Sequence, residues 1–236
     1  MYKESFLMAW ASLIANKMRS ILTMLGIIIG VAAVIALVSI GNGVKQDIQN
    51  SISSLGSNLL MVMPGAPRTP GVRPSAGSMK SLKVSDYEAI SKLDGVKAAS
   101  PMTNGSYVVI YQNKNWTTSV SGVSYNYLDV NNWSMKSGRF LSEKNVQNRE
   151  RVAVVGKTVV KNLFGDEDPV GAEIRVKNIP FRIIGVLNSK GSGAMGNDQD
   201  DMVIIPYTTA MERVEGIDYL RMIYVVGKDE NGIDRL

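Results

Sequence analysis

The chain has 236 residues, 45% hydrophobic and 20% charged, the balance of a folded protein and not of a disordered one. It contains no His and no Cys, which removes the usual general base, proton switch, thiolate ligand and disulfide framework. The net charge of +5 is dispersed in isolated basic pairs, with no stripe along one helix, so the composition argues against a nucleic-acid partner.

In the first 17 residues Phe6, Trp10, Leu13 and Ile14 share one helical face, and Trp10 suits a membrane interface. The pattern predicts an amphipathic helix over residues 1–18, lying on lipid at the cytoplasmic surface, with a helical extension of the following segment as the alternative. From Ser20 to Val44 there are 25 residues without a charge. The core Ile21–Ile40 would rise about 30 Å as a helix, the thickness of the hydrocarbon layer. Twelve of its residues are Ile, Leu or Val, so insertion is favoured, and a transmembrane helix is expected over residues 20–43. A cleaved signal peptide fits less well, because Val38-Ser39-Ile40-Gly41 is a poor cleavage site and the core is too long. Lys3, Lys17 and Arg19 precede the span against Glu4 alone, whereas Lys45 after it is balanced by Asp47. Positive charge stays inside, which puts the N-terminus in the cytoplasm and the rest outside. Gly26 and Gly30 form a GxxxG pair, a candidate helix–helix contact.

Beyond the span, Val44, Ile48, Ile52 and Leu55 continue a helical stripe that Gly56 would stop. Residues 44–63 therefore read as a stalk helix and a first strand at Asn58–Met63. Residues 64–80 read as a flexible linker, since Pro64–Ser78 holds four prolines and three glycines. The remainder, 81–236, alternates short helices and strands. Ser85-Asp86-Tyr87-Glu88 reads as a capping box opening a helix through Leu93. Strands are expected at 96–101, 106–112 and 116–123, the last two joined by a hairpin at Asn113-Lys114-Asn115. A strand at Arg151–Val155, a helix at Thr158–Phe164, and strands at 172–177, 180–187 and 202–206 follow. A helix at 207–214 and a strand at 220–227 complete an α+β fold.

Three motifs imitate chemistry. Gly156-Lys157-Thr158 follows a strand and opens a helix, but a phosphate-binding loop needs a glycine at the position of Arg151. Gly191, Gly193 and Gly196 spell a dinucleotide fingerprint, yet Asn197-Asp198-Gln199-Asp200-Asp201 follows where an apolar helix should. A mobile extracytoplasmic loop is the expectation there. The acidic run fails the EF-hand spacing, because Val203 and Thr209 stand where Gly and Glu are needed, so a solvated loop is expected. These residues give no catalytic, metal or cofactor site, and an enzyme is not expected.

Several stretches resemble one family in order along the chain. Lys17-Met18-Arg19-Ser20-Ile21-Leu22-Thr23-Met24-Leu25-Gly26-Ile27-Ile28-Ile29-Gly30-Val31 is similar to the start of MacB/FtsX-type ABC transporter permeases, and Leu55-Gly56-Ser57-Asn58-Leu59-Leu60 to the segment past their first helix. Ser137-Gly138-Arg139-Phe140, Val154-Val155-Gly156 with Leu163-Phe164-Gly165, Asp168-Pro169-Val170-Gly171, Phe181–Leu187 and Asp200–Tyr207 extend the likeness. The resemblance implies that 81–236 is a MacB-like periplasmic core domain and the chain a permease of a bacterial ABC exporter. It further implies a second permease copy in a dimer, a separate ABC ATPase subunit and an extracytoplasmic adaptor protein as partners. Phe6, Trp10, Lys17 and Arg19 then become the cytoplasmic interface on which an ATPase presses. Family members carry three further spanning helices after the domain, so the expectation is an N-terminal part of a permease, from a truncated gene or a cut fragment. The alternatives are a regulatory relative controlling a cell-wall hydrolase and a self-contained, single-pass binding or sensor module.

Overall fold

The computed structural model describes residues 2–55, 59–65, 80–193 and 196–228, in two units, residues 1–50 and 51–236. In the first unit, helix α1 (Tyr2–Ala15) is broken at Asn16 from helix α2 (Lys17–Leu55). At 39 residues, α2 is about 58 Å long. The Thr23 hydroxyl donates back to the carbonyls of Arg19 and Ser20, at 2.9 and 3.0 Å, so this polar group is satisfied within its own helix. The helical stop expected at Gly56 and most of the linker expected at 64–80 lie outside the described residues.

The second unit is built on one nine-stranded sheet. Its strands are β1 (Leu59–Val62), β2 (Val96–Tyr111), β3 (Lys114–Val123), β4 (Met135–Gly138), β5 (Val152–Val155), β6 (Glu173–Val176), β7 (Ile179–Leu187), β8 (Met202–Pro206) and β9 (Met222–Gly227). Six of them close on themselves: β2 pairs β3, β3 pairs β8, β8 pairs β5, β5 pairs β7, β7 pairs β6, and β6 returns to β2. Helix α6 (Lys157–Leu163) packs into this barrel with Val159 and Leu163. The interior is filled by side chains of alternate strand positions, among them Ala153, Val155, Val203, Ile205, Phe181 and Val109. The intervening positions Val152, Val154 and Ile204 face outward, where a second cluster with Tyr127, Trp133 and Leu141 covers them. Both faces are buried, which is why these strands read as unbroken apolar runs.

The first half of β2 belongs to a different lobe. There β9 lies between β1 and β2, antiparallel to both, and helix α3 (Val84–Ser91) connects the two outer strands. This is a split βαβ unit with its own apolar cluster of Leu82, Val96, Leu220, Ile223 and Val225. The domain is thus two lobes sharing one strand.

That sharing corrects the sequence reading at residues 96–112. Two strands, at 96–101 and 106–112, were expected, but β2 is one strand of 16 residues that changes partner. It pairs β9 up to Met102 and β3 from Met102 onward, so the N–H missing at Pro101 falls before the β3 ladder begins. The β2–β3 hairpin turns at Gln112–Asn113, since Tyr111 already pairs with Lys114. Helix α3 starts at Val84 with Lys83 as its cap, whose N–H donates to the Asp86 carboxylate at 2.8 Å; Ser85 is not the capping residue. Three short elements occupy a stretch for which no element was predicted: α4 (Tyr127–Asn131), β4 and α5 (Glu143–Gln147). The helix expected at 207–214 is a single α turn, α7 (Tyr207–Thr209), continuing as a π-helix over Ala210–Glu215 that ends at left-handed Gly216.

Tyr207 meets the ring of Tyr87 from α3 edge-on, 6.1 Å between centroids. Burial, then the neighbouring Tyr87 and Glu88, push its hydroxyl up to about 12. An unfolded tyrosine ionises near 10. Tyr207 therefore contributes stability that is complete below pH 10 and is lost as the pH rises towards 12. Burial moves Tyr87, Tyr127 and Tyr224 in the same direction. Denaturant titrations should show stability falling from pH 10 upward, and Tyr207→Phe should make that fall shallower.

Candidate functional site

Among the described residues no three His, Cys, Asp or Glu side chains cluster to hold a metal. The features singled out by the sequence are structural ones: the apolar helix, its N-terminal neighbour and the glycine loop.

Over Lys17–Gln46, α2 is long and apolar enough to cross a membrane. Large apolar side chains stand exposed around it, Ile27 at 66% and Leu37 at 73% among them. In water this would cost several kcal/mol, at about 25 cal/mol per Å² of apolar surface, and only a hydrocarbon or protein environment removes that cost. Gly26 and Gly30 sit four residues apart on this helix, and a Cβ built on either meets nothing within 4 Å. Backbone is therefore open to a neighbour at both positions. In α1 the rings of Phe6 and Trp10 stack at 6.5 Å between centroids and both are exposed. The side chains of Leu13 and Ile14 lie outside the described ones. Lys17 and Arg19 stand exposed at the start of α2.

The glycine loop between β7 and β8 is held at its base. Asp200, buried to 4% exposure, accepts hydrogen bonds from the hydroxyl of Ser189 and from the backbone N–H groups of Lys190 (2.8 Å) and Gly191 (3.2 Å). Gly193 donates to the Asn197 carbonyl at 2.8 Å, and Ser192 bridges to Asp198. The Lys190 ammonium donates to the carbonyl of Asn131 at 2.7 Å and lies 4.6 Å from the centroid of the Trp133 ring. Burial lowers its pKa. The acidic run is therefore not simply solvated, as its composition suggested. Asp198 accepts from the Thr158 hydroxyl at 2.6 Å, and Asp201 from the indole of Trp116 at 2.8 Å. Each carboxylate fastens a different segment, which also separates them as cation ligands.

The same base occupies the start of α6. Thr158 N–H donates to the Asp200 carbonyl, and a Cβ at Gly156 would collide with that carbonyl. Helix α6 thus opens against polypeptide, where a phosphate-binding loop would open against phosphate. The buried role of Asp200 was missed by sequence reasoning, because an acid amid glycines looks like a loop.

Comparison with known proteins gives consistent results. The family described as MacB-like periplasmic core domain matches residues 20–236. The macrolide export ATP-binding/permease protein MacB of Chlorobium luteolum is 40% identical over 227 residues, 96% of this chain and 34% of that protein. The protein of the same name from Rhodospirillum rubrum is 44% identical over 235 residues, 99% of this chain and 36% of its own length. The chain thus spans about a third of the length of these relatives. The crystal structure of the periplasmic region of MacB from Actinobacillus actinomycetemcomitans superposes with a TM-score of 0.65 at 28% identity, covering 75% of this chain and 78% of that one. The extracellular domain of the ABC-type transporter YknZ from Gram-positive bacteria, at 18% identity and TM-score 0.62 over 75% of this chain and 88% of that one, shares the fold.

Proposed function

The chain belongs to the MacB-like periplasmic core domain family, and from that membership we propose that it is a permease segment of a bacterial ABC-type exporter. The observation that carries this reading is the continuity of a charge-free, membrane-length helix with the family's domain in one matched stretch, residues 20–236. In this reading residues 1–18 lie at the cytoplasmic face, 20–43 cross the inner membrane, 44–63 form the connector, 64–80 a linker, and 81–236 the extracytoplasmic domain. Gly26 and Gly30 form the contact with a second permease copy. Phe6, Trp10, Lys17 and Arg19 receive the movement of an ATP-binding unit distinct from this segment, and the relatives' names couple ATP binding to the permease. The domain's work is mechanical: it transmits a movement made at the cytoplasmic side, for which its lack of His and Cys is no handicap. An adaptor outside the membrane and the mobility of the Gly191–Gly196 loop belong to the same proposal.

Orientation is tested directly, since the chain has no native Cys. Asn113→Cys, exposed at the β2–β3 turn, should react with a membrane-impermeant maleimide in cells whose outer membrane is permeabilised. Lys3→Cys should react only after lysis; the reverse pattern would sink the orientation. For the activity, the complex should be purified from native membranes in mild detergent. ATPase activity that co-purifies and is stimulated by the transported solute is the expected result. A cell-wall hydrolase in its place, with no stimulated ATPase, would select the regulatory reading.

A further inference from the structure

Strand β7 gives one edge to two strands in succession. On its other edge it pairs β5, but Ala153 pairs Ile183 and Val154 pairs Gly185, so Ile184 is left over as a bulge. On the shared edge, β6 ends its pairing at Arg182 and β4 begins at Gly185. The two banks part at the bulge. Arg139 N–H donates to the Ile184 carbonyl at 2.9 Å on one side, and Gly171 N–H to the Ile183 carbonyl at 2.8 Å on the other.

The fork opens a cavity of about 480 Å³, with Val152, Val170 and Ile184 among its apolar lining. Three charged side chains line it: Arg139, Arg182 and Glu150. The Glu150 carboxylate is engaged by the side-chain amides of Asn145 at 2.6 Å and Asn148 at 3.5 Å. Arg139 gives one N–H to the Asn145 side-chain oxygen at 3.2 Å. Among the described residues the Arg182 guanidinium makes no hydrogen bond or ion pair, although Glu173 stands opposite it in register on β6. The lining thus carries one excess positive charge, and its anion is satisfied internally.

We propose that this fork binds a small oxyanion, a carboxylate or phosphate group, with Arg182 as the main contact and Arg139 as the second. A planar guanidinium presents paired N–H donors that match two oxygens of such a group. The backbone at Gly171 carries no side chain, and a Cβ built there meets nothing within 4 Å, which leaves room for the ligand beside that bank.

The test uses the whole chain in a non-ionic detergent, observing the arginine Nε–Hε signals by NMR while inorganic phosphate is added. A second series adds phosphatidylglycerol as mixed micelles with the same detergent in place of free phosphate. Saturable shifts are expected, with Arg182→Gln weakening binding about tenfold, the loss of one charge-assisted hydrogen bond. Arg151→Gln should leave binding unchanged, because Arg151 is exposed beside the fork but does not line it. This pattern with free phosphate supports a soluble ligand, and the same pattern with phosphatidylglycerol micelles alone supports a lipid headgroup. Equal weakening by the two variants, or no saturation in either series, would overturn the site.

Discussion

Gly138→Ala is expected to cost the domain about 2–5 kcal/mol, from two causes that add at one atom. Gly138 has φ of +71°, where an alanine Cβ is strained by about 1–2 kcal/mol. The same Cβ would also collide with the Ile184 carbonyl oxygen and the Cα of Gly185, its partner in the β4–β7 ladder. Neither can rotate aside, because both are backbone. Gly185 faces the reciprocal restriction, since its Cβ would lie 2.5 Å from the Arg139 carbonyl oxygen. Gly171 separates the causes: its φ is +93°, but nothing lies within 4 Å of the built Cβ, so Gly171→Ala suffers strain alone. Thermal melts of the full chain in detergent should show Gly138→Ala lowered by roughly 10 °C, well beyond Gly171→Ala. Equal losses in the two variants would mean that the close approach of β4 to β7 is not tight.

This pair of glycines shows what the sequence could and could not convey. Ser137-Gly138-Arg139-Phe140 was visible only as a likeness to a family, Phe181–Leu187 as that and as a strand, and their glycines lie 47 positions apart. Their physical meaning, two backbones in contact, depends on a pairing that no local period encodes. The buried strands were legible, because Val152–Val155 and Met202–Pro206 are buried on both faces and so are continuously apolar. The order of those strands, and the closing of six of them into a barrel, was not, since any apolar run can pair with any other. Helix α5 did carry a signal: the Ser142 hydroxyl accepts from Asn145 N–H at 3.3 Å, and the Asn145 side chain accepts from Ser142 N–H at 2.8 Å. That is a capping box spelled with Asn in place of Glu or Gln. For α2, length and lack of charge sufficed to read a helix long and apolar enough to cross a membrane, because hydrocarbon would impose the same demand on every residue.

Asp200→Ala is expected to cost about 3–5 kcal/mol, the scale of stripping the partner from a buried charged network. The carboxylate is the acceptor for the Ser189 hydroxyl and for two consecutive amides, Lys190 and Gly191, and alanine would leave these donors facing an apolar gap. The loss should spread along the chain. The Asp200 carbonyl receives Thr158 N–H at the start of α6, and its own N–H donates to Asp198 at 2.8 Å. Loosening this residue therefore loosens the loop base and the barrel helix together. Asp200→Asn keeps the shape but turns an amide NH₂ towards existing donors, so an intermediate loss of about 2 kcal/mol is expected. Asp198→Ala is the comparison: its carboxylate is exposed and its bonds to Thr158 and to Asp200 N–H are worth about 1 kcal/mol. Hydrogen exchange at Lys190 and Gly191 reads the effect locally, and denaturant melts read it globally. Fast exchange in Asp200→Ala with an unchanged melt would confine Asp200 to the loop. A melt no lower than that of Asp198→Ala would remove it as the fastener between loop and barrel, and with it the physical reason for an acid among these glycines.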